Sequence, residues 1–140
     1  TENYFKGDEI VDFGIKLANH EFEQRKGEET LAIIWEALDV LNKQDLLKNQ
    51  VMYYDSQENV IKLHIPSAII AIKSHMGMRH YEIPNQREIS KLLKQETYAI
   101  GQGSSRVEGK VAHRWVLDLG KCPEILQNIY KTEQLDEEFL

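Results

Sequence analysis

"NQREISKLLKQETYAIGQGSSRVEGKVAHRWVLDL", residues 85–119, changes its hydrophobic period partway along, and that change sets the expected fold class. Asn85 is a good helix N-cap, and Ile89, Leu92 and Leu93 recur behind it at helical spacing, so a helix is expected from Gln86 to about Tyr98. From there the pattern turns to alternation. Tyr98 to Ile100 suits a short strand, Gly101 to Lys110 a flexible hairpin tip, and Val111 to Leu119 a second strand stopped by Gly120.

The helix has two unlike faces. Ile89, Leu92 and Leu93 form an inward stripe, while Arg87, Lys91, Lys94, Gln95 and Tyr98 follow i, i+4, i+7, i+8 and i+11 along the other side. One side is therefore cationic, with an aromatic at its end. Such a stripe is also what an ordinary solvated helix face looks like.

Upstream, Asp8 to His20 carries the apolar residues of a short amphipathic helix with Asp8 as its cap. Glu28 to Lys43 holds a core stripe of Leu31, Ile34, Trp35, Leu38 and Leu41, with Gly27 as the break before it and Trp35 as a core anchor. Val51 to Tyr54 and Val60 to Ile65 are β-prone runs around a polar stretch, hence a hairpin. Pro66 then opens a helix over Ser67 to His75. Gly77 and Met78 to Pro84 make a connection, and a last helix runs from Pro123 to Lys131.

Helix, connection, helix and then a hairpin with a glycine-rich turn is the order of a winged helix-turn-helix. The expected fold class is α+β, a winged helix-turn-helix preceded by helices and a β-hairpin. With 140 residues and 41% hydrophobic content, one domain is expected over 1–140: a support region at 1–65, the winged region at 66–131 and an acidic tail at 132–140. No apolar run is long enough to span a bilayer, and the single cysteine, Cys122, has no internal partner, which fits a reducing cytoplasm and no membrane partner. The chain starts at Thr1, which suits either a segment of a larger protein or removal of a start residue.

Net charge is −6, unlike the basic excess of most nucleic-acid binders, but its distribution is uneven. Residues 73–121 carry 9 Lys/Arg against 5 Asp/Glu, whereas residues 1–50 carry 6 against 11 and residues 122–140 carry 1 against 5. Acidic flanks surround a basic centre. In a winged domain the second helix lies in a groove by its exposed side, and the hairpin brings cations to the neighbouring backbone. The DNA-contacting set expected on these grounds is Arg87, Lys91, Lys94, Gln95 and Tyr98 on the helix, with Arg106, Lys110, His113 and Arg114 on the hairpin.

Residues 85–119 also resemble the winged-helix end of replicative helicases and primase-helicases carried by phages, plasmids and other mobile elements. The resemblance rests on a polar residue opening a helix, a Leu-Leu pair within it, an aromatic after it, and a cationic loop running into Arg114-Trp115. It covers about a quarter of the chain. It implies a DNA-binding accessory module of a replication protein, with an ATPase core elsewhere in the parent chain. The competing readings are a protein-interaction module, with Tyr53, Tyr54, Tyr81 and Trp115 as partner anchors, and a stand-alone winged-helix transcriptional regulator. Trp115, on an alternating strand, also suits the core.

Catalysis by this chain is not expected. A phosphate loop needs two glycines separated by four residues and then Lys with a hydroxyl residue. Counting back from Gly109-Lys110, Ser104 stands where the first glycine belongs and Val111 where the hydroxyl belongs. His64, His75, His80 and His113 have no metal-site spacing, and Glu88 and Glu96 suit pairing with Lys91 and Lys94. No cofactor and no metal is expected.

Overall fold

The computed structural model describes residues 25–77 and 83–131. The expected helix at Asp8 to His20, His80, Tyr81 and the acidic tail lie outside the described residues. The described chain is α+β: a helix α1 over residues 25–43, then β1 (Met52–Asp55), β2 (Val60–Leu63), α2 (Ile65–Met76), α3 (Gln86–Leu93), β3 (Ala99–Val107), β4 (Lys110–Asp118) and α4 (Glu124–Ile129). The strands form one antiparallel sheet in the order β1-β2-β4-β3.

α1 buries the expected stripe of Leu31, Ile34, Trp35, Leu38 and Leu41. Gly27 does not break the helix as expected but sits inside it, buried. A Cβ there would lie 2.9 Å from Leu92 Cδ2, so the glycine serves a close approach of α1 to α3. α2 carries Pro66 in its first turn, where no helix hydrogen bond is lost, and ends at Gly77 with φ 63°. Asn85 caps α3 as expected, its Oδ1 accepting from the Glu88 amide at 2.9 Å.

α3 ends at Leu93, about a turn short of Tyr98. The amides of Gln95 and Glu96 donate to Leu92 and Leu93 three residues back, which tightens and closes the last turn. Tyr98 then swings into the core, where it is 6% exposed.

The glycine-rich stretch is not a flexible tip. Gly101 and Gly103 belong to β3 and pair with Val116 and Arg114 of β4, while a bulge at Ile100 shifts the register once. Only Glu108 and Gly109 turn the chain, at φ 49° and 83°. Two consecutive positive values make the tight two-residue turn whose twist matches the flanking strands.

Cross-strand partners share a sheet face, so Met52, Tyr54, Ile61, Leu63, Trp115 and Leu117 point the same way. That face meets Trp35 and Leu38 of α1, Ile72 of α2, Ile89 and Leu93 of α3 and Leu126 of α4 in one core cluster. Tyr130, just past α4, stacks on Tyr54 with ring centres 5.4 Å apart. β2 pairs with β4 only from Trp115 to Asp118, so the outer half of the β3–β4 hairpin extends past its inner neighbour. Among the described residues, no helix is long and apolar enough to cross a membrane.

Candidate nucleic-acid interface

Arg87 and Lys91 on α3, and Lys94 and Gln95 just past its end, are exposed, opposite the buried Ile89 and Leu93. One side chain on the boundary orients the helix. Trp115 Nε1 donates to Ser90 Oγ at 3.2 Å, so the Ser90 edge of α3 faces β4. Arg87 and Lys94, three before and four after Ser90, lie on that same edge. Lys91 and Gln95 fall farther round, and with Lys26, Thr30, Glu88 and Leu92 they line a groove of about 300 Å³ towards α1.

The hairpin offers its own row. Gln102 pairs with Trp115, Ser104 with His113, and Arg106 with Val111, so all six side chains share the sheet face on which α3 rests. Trp115 is buried beneath α3, whereas Gln102, Ser104, Arg106, Val111 and His113, beyond it, are exposed. His113 Nε2 lies 2.9 Å from Gln102 Oε1. Lys110 projects from the opposite sheet face but at the exposed tip, beside the turn.

Two residues of the expected set are not on this surface. Arg114 is 1% exposed: its Nη1 donates to the Gln50 carbonyl at 2.9 Å and its Nη2 to Gln50 Oε1 at 2.7 Å, and it faces away from Trp115 by strand alternation. Its guanidinium pKa is lowered by burial. Tyr98 is the other, buried because α3 stops before reaching it.

The expected pairing of Glu88 and Glu96 with Lys91 and Lys94 is not formed. The ion pairs among the described residues are Lys43–Asp39 at 3.1 Å and Lys62–Asp55 at 3.8 Å, and neither involves Lys91 or Lys94. Glu96 instead has its pKa raised, by burial first and by Glu28 second. Among the described residues no group of three or more His, Cys, Asp or Glu is placed to hold a metal ion. Cys122 is buried, and burial together with the Asp118 carboxylate pushes its thiol up to about 12, which removes it as a thiolate nucleophile at neutral pH.

His64, between β2 and α2, has Nδ1 2.6 Å from Ser67 Oγ. Its pKa is lowered from the usual 6.5 by burial, then by the charges of Arg114 and His113. A base whose folded pKa is depressed binds its proton more readily in the unfolded chain, so the stability from neutral His64 is full above pH 6.5 and is lost as pH falls below it. Urea midpoints at mildly acidic and neutral pH should therefore differ more for the native chain than for His64→Gln; an equal difference would remove His64 from the pH response.

Sequence reasoning missed Ser90, Gln102 and Ser104. Their signal was present in part: Gln102 and Ser104 alternate with Gly101 and Gly103, a period of two inside what reads as a loop. No protein-family model matches this chain, and neither a curated protein nor a solved structure matches it.

Proposed function

We propose that the chain is a winged helix-turn-helix domain that binds DNA, with α3 as the groove-entering helix and the β3–β4 hairpin as the wing. The observation that carries this reading is the Trp115–Ser90 hydrogen bond combined with the β3–β4 register. Together they set the Ser90 edge of α3, which also carries Arg87 and Lys94, against the sheet face whose outer part bears Gln102, Ser104, Arg106 and His113, and this supports a shared surface of polar and cationic groups. Phosphate contacts from such a surface position the domain, and the amide and hydroxyl groups add hydrogen-bonding capacity towards base edges. The set proposed for contact is Arg87, Lys91, Lys94, Gln95, Arg106, Lys110 and His113.

The wider context, an accessory module of a mobile-element replication protein beside an ATPase core, rests on the sequence resemblance of residues 85–119 and is proposed on that ground alone. The protein-interaction reading keeps one specific support: Val111 and Ile100 on the hairpin are 60% and 62% exposed, and apolar side chains of that size suit a protein partner.

Fluorescence anisotropy with labelled duplex and single-stranded oligonucleotides at low salt separates the two. Binding that weakens with a linear log–log salt dependence supports the DNA reading. A folded protein by circular dichroism that binds neither oligonucleotide would favour the protein-interaction reading.

A further inference from the structure

We propose that Gln50 is a positioning residue for the hairpin: it fixes the angle at which Arg106 and Lys110 are presented, so that the loop between α1 and β1 sets the wing's contribution to binding. This rests on the DNA reading and adds to it a residue that touches no ligand. Gln50 uses three of its polar groups on the hairpin, with its main-chain carbonyl and Oε1 accepting from Arg114 of β4 and its Nε2 donating to the Val107 carbonyl of β3 at 2.7 Å. The neighbouring Asn49 Nδ2 donates to Glu108 Oε1 in the turn at 2.6 Å. One short loop thus grips both strands and the turn.

The need for such a grip follows from the register. β2 stops at Leu63, opposite Trp115, so among the described residues the two hairpin strands pair only with each other from Gly103 to Arg114. An isolated two-stranded hairpin is marginal in water, and its direction is soft without a third contact. The loop supplies that contact through Gln50 and Asn49. Its amide orientation is dictated by its partners: reversed, the Gln50 side chain would put NH₂ against a guanidinium and oxygen against a carbonyl. The buried guanidinium spends both of its hydrogen bonds to described residues on Gln50, which ties the loop to β4.

The test is a double-mutant cycle on the full chain, read by anisotropy with a labelled duplex. In the native background Arg106→Ala should weaken binding about tenfold at low salt, and in a Gln50→Ala background less than about twofold, because the wing is no longer held against the DNA. Gln50→Ala should also lower the salt slope by up to about two units, the share of two phosphate contacts. Lys91→Ala on α3 should cost the same in both backgrounds. Generally lowered stability would leave the slope and the cycle of the folded fraction unchanged, so additivity of Gln50→Ala with Arg106→Ala overturns the proposal while leaving DNA binding intact. Asn49→Ala, which spares the Arg114 bonds, should give a smaller effect of the same kind if Gln50→Ala fails to fold. Hydrogen exchange supplies a readout without DNA: outer-hairpin amides should lose protection in either variant while those of β2 and α3 keep it. A native chain that binds no DNA, with variants that show this exchange pattern, would sink the DNA reading and leave the grip standing; unchanged exchange in the variants would sink the grip.

Discussion

Replacing Arg114 with alanine is expected to lower stability by about 3 kcal/mol, a large share of the roughly 5–15 kcal/mol that holds a domain of this kind folded. The guanidinium is 1% exposed and donates to the carbonyl and Oε1 of Gln50 at 2.9 and 2.7 Å. Alanine strands both acceptors in a part-buried loop, at about 1–3 kcal/mol each, and leaves the space of a long side chain beside β4. A counter-term reduces the loss. The native charge is buried, its Nε has no hydrogen-bond partner among the described residues, and burial lowers its pKa. Methionine removes the charge but keeps an unbranched stem to fill the space, so Arg114→Met should fall between the native chain and Arg114→Ala. Urea unfolding followed by far-ultraviolet circular dichroism checks the order, with a drop in thermal midpoint of about 10 °C expected for alanine. An alanine variant that unfolds with the native midpoint would show that the buried Arg114–Gln50 contact contributes nothing net.

Arg114 also marks where the sequence stops being legible. In the chain it stands between Lys110 and Trp115 in the basic centre, and most arginines are exposed, so a surface role is the natural reading. Its burial depends on Gln50, 64 residues away, whose acceptors no local pattern advertises. Tyr98 was misplaced for a different reason: counting i+11 along a cationic face presumes that the helix persists, and α3 closes at Leu93. The glycine-rich stretch reads as a loop from composition, yet pairing with β4 from Lys110 to Leu117 makes a strand of it, with Gln102, Ser104 and Arg106 on one exposed face. Locally encoded features came through. The α1 stripe, the Asn85 cap, Pro66 in the first turn of α2 and the change of period after α3 depend on neighbours within a turn or two, and each forms as read. Of the nine residues expected at the interface, the seven that remain on the surface are those whose exposure follows from the element they sit on.

Charge reversal at Lys91 and Lys94 together is expected to abolish DNA binding under conditions where the native chain binds measurably. If Arg87, Lys91, Lys94, Arg106 and Lys110 each neutralise one phosphate, the log–log salt slope is about −4.5, and affinity falls roughly 500-fold between 50 and 200 mM salt. Exchanging two of those five for glutamates removes about 1.8 units of slope and adds two charges that repel the same phosphates, which at low salt amounts to a loss of more than about a hundredfold. The chain has little reserve to absorb this, because its net charge of −6 already opposes association. The fold should be unaffected, since both side chains are exposed and neither is in an ion pair among the described residues. The two positions also differ in a useful way. Lys94 lies on the Ser90 edge beside the hairpin and Lys91 nearer the groove towards α1, so equal effects from the two single reversals would indicate a ligand spanning both edges of α3. As a control for long-range charge alone, Glu29→Lys at an exposed position of α1 changes the net charge by the same step per site and should strengthen binding only slightly or not at all. A Lys91→Glu/Lys94→Glu chain that keeps its native circular dichroism and binds DNA as the native chain does would remove α3 from the interface.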